Sequence, residues 1–232
     1  MSVFNPVILG FDTSAAHCAA ALLTRNAVFG ERHEDMARGQ AERLMTLLEE
    51  VLSETGNHWR DLDALAVGIG PGNFTGIRIA VSAARGLSLA LGIPALGVSQ
   101  FEVMRDPAGL SAHPAEIVSL RAPRDMAYVR QYRYGKPQAP GRLIDPSKPP
   151  QDLELPVNMR VRGHRATEIA APFGAEADDA EIEEIGYRVL RCAEWRWLHE
   201  RERLESPAPL YIRPADAAPP RTQPPQILEN GT

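Results

Sequence analysis

Residues 64–78 read Ala-Leu-Ala-Val-Gly-Ile-Gly-Pro-Gly-Asn-Phe-Thr-Gly-Ile-Arg, an apolar strand that runs into a glycine-dense turn and opens a helix. Many α/β proteins hold phosphates with this geometry, because N–H groups at a helix N-terminus point outward and carry partial positive charge. The side chains that complete such a grip are missing. A P-loop needs Lys and Ser or Thr directly after its last glycine, whereas Gly76 is followed by Ile77 and Arg78. The dinucleotide spacing fails as well, since Gly70 and Gly72 are followed by Thr75 where the third glycine belongs. The turn of Gly70, Pro71, Gly72, Asn73, Phe74, Thr75 and Gly76 is therefore read as structural, and the chain as a non-catalytic relative of an ATP-binding fold.

Working outward, Thr75 is the expected N-cap of a helix to about Leu91, which Gly92 and Pro94 terminate. Leu65 to Val98 then forms a βαβ unit, so part of the sheet is parallel. Gly76, Ala80, Ala83 and Ala84 recur along one side of this helix, small enough for another backbone to come close, so tight packing on the sheet or on a second helix is implied. Toward the N-terminus, Val7–Phe11 and Ala19–Leu23 read as strands joined by a polar turn, with Ala27–Glu31 as a third. Across Ala37–Ser53, Leu44, Leu47, Leu48, Val51 and Leu52 recur at helical spacing. A second stripe, Ala37, Ala41, Met45, Leu48 and Leu52, widens the apolar arc, and two readings stand: a broad core face or a partner-binding face.

The second half opens at Asp106-Pro107-Ala108-Gly109. Glu116–Leu120, Ala127–Tyr134 and Val157–Val161 read as strands, Pro137–Pro156 as irregular. A helix from Asp179 to about Arg201 is expected from Ile182, Ile185, Val189, Cys192 and Ala193, with acidic residues in its first turns. Ala217–Thr232, with four prolines, reads as an extended tail. The expected division is a first lobe at 1–105, a second at 106–213 and a tail at 214–232, in the α/β class.

Composition excludes several classes. With 232 residues, 44% of them hydrophobic and 24% charged, the chain fits one domain or two lobes. No apolar run reaches the roughly 20 residues that span a bilayer, and no basic segment precedes Val7, so neither a membrane nor a signal peptide is expected and the cytoplasm is the default. A net charge of -5 argues against strong nucleic-acid binding by the chain alone. The six histidines include no i, i+4 pair, so no metal is assigned. Cys18 and Cys192 read as buried thiols, and His17 and Cys18, adjacent on a strand, point to opposite faces. Asp12 ends the first strand, where α/β folds place ligands, but Thr13, Ser14, Ala15 and Ala16 follow it instead of glycines. It is read as accepting turn hydrogen bonds, a vestige of a nucleotide site. No catalytic residue and no cofactor is assigned. Between Arg121 and Arg165 basic residues outnumber acidic ones, with Tyr128, Tyr132 and Tyr134 interleaved, which fits a tRNA-contacting patch or a solvated strand face.

The segment Gly70-Pro71-Gly72-Asn73-Phe74-Thr75-Gly76-Ile77-Arg78 is similar to the Gly-Pro-Gly-Ser-Phe-Thr-Gly-(Leu/Ile)-Arg signature of the TsaB (YeaZ) family of tRNA threonylcarbamoyladenosine biosynthesis proteins. Ile8–Ser14 resembles that family's first strand, Leu87–Pro94 with Gly97-Val98-Ser99 its helix exit and next strand, and Pro209–Arg213 its closing strand. The resemblance implies a two-lobed actin-like ATPase (ribonuclease H-like) fold of mixed sheets with flanking helices. It also implies a non-catalytic scaffold and activator. Its partner TsaD, known by a His-x-x-x-His metal pair absent here, transfers a threonylcarbamoyl group to N6 of the adenosine next to the anticodon in tRNAs reading codons that begin with A. The TsaE ATPase joins the two, and tRNA is met only through the complex.

Helices Ala37–Ser53 and Thr75–Leu91 together are expected to form the partner surface, through Ala37, Ala41, Met45, Leu48, Leu52, Gly76, Ala80, Ala83 and Ala84, and to self-associate as a homodimer when TsaD is missing. Several positions depart from the family: Asn73 stands for Ser, Gln40 for a frequent His, and Arg121 and Pro123 replace parts of an Asp-Ala-Arg segment. The rival readings are a small-molecule kinase or ATPase of the same fold, which needs phosphate-binding glycines after Asp12 and a second carboxylate, and a tRNA-binding module.

Overall fold

The computed structural model describes residues 6–24, 27–105, 113–153, 158–201 and 205–212. Strands β1 (Ile8–Asp12), β2 (His17–Thr24), β3 (Ala27–Asp35), β4 (Ala64–Gly68) and β5 (Ala95–Val98) form one sheet in the order β3-β2-β1-β4-β5. The first three make an antiparallel meander, and β4 and β5 extend it in parallel beside β1. The parallel step is supplied by the βαβ unit, whose crossover is helix α2 (Phe74–Leu91). By length and composition α2 is also apolar enough to cross a membrane, but it carries Arg78 and Arg85 and joins two strands of one sheet.

Alternation along the strands sorts two cores. Leu9, Phe11, Leu22, Leu65 and Val67 face α2 and helix α1 (Gln40–Glu54), which contributes Leu44, Leu47, Leu48 and Val51. Ile8, Ala19, Ala21, Ala64 and Ala66 face the opposite way, against α5 (Ile185–His199) and its Val189, Leu190, Ala193 and Trp197. A Cβ on Gly10 would stand 2.7 Å from Leu190, which shows how closely α5 lies on β1. This helix belongs by sequence to the segment 106–213, yet it covers the first sheet, because only an apolar helix closes that sheet's second face.

The other sheet runs β11 (Glu176–Asp179), β10 (Met159–Gly163), β6 (Ala115–Arg121), β7 (Ala127–Arg133) and β8 (Lys136–Pro137), with β9 (Arg142–Ile144) also on β7. It too is mixed, parallel at β11-β10-β6 and antiparallel at β6-β7. Short helix α4 (Ala166–Ala170) covers one face, and α3 (Gln100–Arg105) covers the other with Phe101 and Met104.

Several expected boundaries shift. The last helix starts at Ile185 rather than Asp179, because Glu176–Asp179 pairs with β10 and Glu184 sits at φ 49, outside helical geometry. The acidic residues before it are therefore not in its first turn. The N-cap of α2 is Asn73, whose Oδ1 accepts from the Gly76 N–H at 3.0 Å, not Thr75. The proline-rich stretch, expected to be irregular, still contributes β9. Residues 205–212 form no strand; Leu210 N–H donates to the Ile69 carbonyl at 2.8 Å. The expected break at 106–109, Val157, Arg213 and the tail lie outside the described residues.

Candidate functional site

The glycine turn lies against the loop that leaves β1. Asn73 N–H donates to the Ser14 carbonyl at 2.6 Å, and Thr13 Oγ1 donates to the Gly76 carbonyl at 2.7 Å. A Cβ on Gly72 would stand 2.2 Å from Ser14 O, and one on Gly76 1.8 Å from Thr13 O. Gly70 adopts φ +91, which side-chain-bearing residues rarely take. The glycines thus make room for the backbone of Thr13 and Ser14. In a phosphate-binding loop that room and those N–H groups serve the ligand; here the Asn73 N–H and the Gly76 N–H are both consumed internally.

Asp12 anchors the same junction and is completely buried. Its Oδ1 accepts from Ser14 N–H and Oγ–H, each at 2.8 Å, and lies 2.7 Å from His17 Nε2; its Oδ2 accepts from Gln100 Nε2 at 2.9 Å. The carboxylate is filled by protein donors. Ser14 Oγ–H points at Asp12, not at an imidazole, so the cluster contains no nucleophile and base pair. Sequence reasoning placed Asp12 correctly at a strand end but missed His17 and Gln100, which come from β2 and from the first turn of α3. Gln100 also donates from its backbone to the Gly70 carbonyl at 2.8 Å, so it stitches turn and strand end together.

Two segments far apart in sequence converge beside the turn. Arg78 lies 3.8 Å above the Phe74 ring and its Nε donates to Tyr211 Oη at 3.0 Å, while Phe74 and Tyr211 rings stand 4.9 Å apart. A cavity of about 920 Å³ opens between the Asp12 junction and the second sheet, lined on one wall by Ser14, His17, His33 and Asn73 and on the other by Leu120, Arg121, Tyr128 and His164. Among the described residues no group of His, Cys, Asp and Glu is arranged to hold a metal.

The residues expected at the partner surface divide. Leu48, Leu52, Gly76, Ala80 and Ala84 are buried in the chain's own core, so they are not available to a partner. Ala37 is exposed but lies in the turn before α1. Ala41 is exposed, Met45 is 40% exposed and Ala83 is half-buried. On α2 the exposed stripe is instead Ser82, Gly86, Leu89 and Ala90, with Leu89 86% exposed. Of the two close approaches that α2's small residues allow, Ala80 and Ala84 make the one onto the sheet, not the one onto a partner helix.

Five of the ten Lys and Arg side chains between Arg121 and Arg165 are paired with carboxylates of the chain itself. Arg121 pairs with Glu181, Arg142 with Asp152, Arg160 with Glu116, Arg162 with Asp178 and Arg165 with Asp125. Tyr128 and Tyr132 are buried, leaving Tyr134 exposed.

The family model for TsaD, tRNA N6-adenosine threonylcarbamoyltransferase, matches residues 30–151, just over half of the chain. The protein of Haemophilus influenzae named tRNA threonylcarbamoyladenosine biosynthesis protein TsaB is 35% identical over 117 residues, 49% of this chain and 48% of that one. The chain belongs to the TsaB/YeaZ family. Its Escherichia coli relative TsaB is 36% identical over 101 residues, 44% of this chain and 43% of that protein. The match thus spans about half the length of these curated relatives. YeaZ from Pseudomonas aeruginosa superposes with a TM-score of 0.65 at 24% identity, over 89% of this chain and 99% of that chain, which shows the shared fold. The family's glycine signature is the segment clamped onto Asp12–Ser14, and its Leu-Tyr-Ile segment is the one that meets Arg78.

Proposed function

We propose that this chain is a non-catalytic subunit of tRNA threonylcarbamoyladenosine biosynthesis, acting as scaffold and activator for a TsaD partner, with TsaE as the third component. The observation that carries this reading is the closed turn. The space and the donors with which a nucleotide-type loop would hold phosphate are occupied by Thr13, Ser14 and Asn73. Phosphoryl transfer also requires metal ligands and a cation at the phosphates, and the turn supplies neither.

What remains for function is surface. Helices α1 and α2 touch each other and expose apolar side chains, Met45 on one and Leu89 on the other, and two such helices meet two equivalents on a partner as a four-helix bundle. The same surface accounts for the expected homodimer when TsaD is missing. A tRNA-binding role for the chain alone is disfavoured by the net charge of -5 and by the internal pairing of half of the basic stretch, Arg121, Arg142, Arg160, Arg162 and Arg165.

Isothermal titration with Mg-ATP tests the non-catalytic reading: no heat of binding in the micromolar range and no hydrolysis above buffer are expected. Micromolar binding, or hydrolysis that disappears in Asp12→Ala, restores the kinase or ATPase alternative.

A further inference from the structure

Beside its apolar residues the α1 and α2 surface carries charge, and the charge is sorted by helix. Glu42 and Glu49 are exposed on α1, Arg78 and Arg85 on α2. Among the described residues none of these four has an ion pair within the chain, whereas the other charges of α1 are taken, Arg43 by Glu34 and Glu50, and Glu54 by Arg32. Helix α2 contains no carboxylate. The spacing matches as well: each pair is seven residues apart, about 10 Å along a helix axis, with Met45 between the glutamates and Leu89 one turn beyond Arg85.

Arg78 is, in addition, held in place. Its guanidinium lies 3.8 Å above the Phe74 ring and its Nε donates to Tyr211 Oη at 3.0 Å, which leaves both Nη groups for an acceptor outside the chain. A fork fixed in this way loses less rotamer entropy when it meets a carboxylate.

Strand direction limits how such a face pairs with itself. β3 and β4 both run parallel to β1, and β5 runs parallel to β4, so α1 and α2 are crossovers of the same sense on one face of the sheet. A two-fold axis across the helices sets each helix on its own equivalent, glutamate against glutamate and arginine against arginine. A two-fold axis along them sets α1 on the other copy's α2, and every charge meets its opposite. We infer, resting on the α1 and α2 surface proposed above, that a second copy of this chain occupies it in this crossed arrangement. Glu42 and Glu49 of each protomer face Arg78 and Arg85 of the other, and these charges select the arrangement.

The test is a charge exchange in the full chain, read by sedimentation equilibrium at low and high salt. Wild-type self-association should weaken as salt rises. Arg78→Glu with Arg85→Glu, and separately Glu42→Arg with Glu49→Arg, should each self-associate at least about tenfold more weakly. Mixed in equal amounts the two variants should associate again, which shows that both are folded. All four substitutions in one chain should restore self-association, because crossed pairing then joins opposite charges while like-on-like pairing still does not. A monomeric wild type, association that strengthens with salt, charge variants that associate like the wild type, or no recovery in the fourfold variant overturns the proposal. Met45→Glu with Leu89→Glu separates the two readings. If that chain is monomeric while both charge variants still self-associate, the surface stands and the charge pairing falls; if it self-associates like the wild type, the surface is misassigned and the pairing falls with it.

Discussion

Replacing Gly76 by alanine sets two rules of helix energetics against each other. In an unconstrained helix the change stabilises by about 1 kcal/mol, because alanine loses less backbone entropy than glycine. Here the new Cβ would stand 1.8 Å from the Thr13 carbonyl oxygen, and both sides of the contact are main chain. Relief requires the first turn of α2 to retreat from Thr13–Ser14. That retreat breaks the Thr13 Oγ1 to Gly76 bond at 2.7 Å and the Asn73 to Ser14 bond at 2.6 Å. Each broken bond costs about 1 kcal/mol, and the overpacking strain adds about 1–3 kcal/mol. Set against the gain of about 1 kcal/mol from helix propensity, a net loss of roughly 2–4 kcal/mol follows, a large share of the 5–15 kcal/mol typical of a folded domain. At about 2–4 °C per kcal/mol for a chain of this size, calorimetry should show Tm lower by roughly 10 °C, with a matching drop in the urea midpoint. An unchanged or raised Tm refutes the reasoning, since it leaves only the propensity gain and no close approach.

Other outcomes follow from the same contacts. Asp12→Ala strands the Ser14, His17 and Gln100 donors in a buried junction and should destabilise by about 2–4 kcal/mol in denaturant titration, without altering ATP turnover. Burial pushes the Tyr132 phenol up to about 12 from its ordinary value of 10.0; stability it contributes is complete below pH 10, falls as pH rises from there to about 12, and the fall should be shallower in Tyr132→Phe. Cys18 is buried and its thiol is pushed up to about 11, so a thiol-specific chromogenic reagent at neutral pH should label it only after unfolding.

The first sheet was legible because its signals are local and unmixed. Leu65 to Val98 spells strand, glycine turn, helix and strand, and the Leu44-to-Leu52 stripe marks a helix by period alone. That Asp12 accepts turn hydrogen bonds was also legible, since Thr13 and Ser14 are turn residues with donors of their own. Gln100 was not, because its contact with Asp12 joins residues 88 apart and only the parallel placement of β5 beside β4 brings them together. The faces of α2 were misread for a related reason. Ala80 and Ala84 carry no polarity to tell inside from outside, and the exposed Leu89 would pass for core in any periodicity count. The last helix was begun too early because Ile182 fits its period while packing between the two sheets' clusters rather than in the helix.

The central claim is that the chain acts through its α1 and α2 surface and not through chemistry at Asp12. The most direct measurement is threonylcarbamoyl transfer to tRNA, reconstituted from TsaD, TsaE and this chain carrying Met45→Glu with Leu89→Glu. Both positions are exposed, so the double variant should keep the wild-type Tm. A carboxylate buried unpaired at the contact costs several kcal/mol, so the variant should neither capture TsaD nor stimulate transfer. Full stimulation by that variant, or loss of stimulation by a folded Asp12→Asn chain that still captures TsaD, contradicts the account.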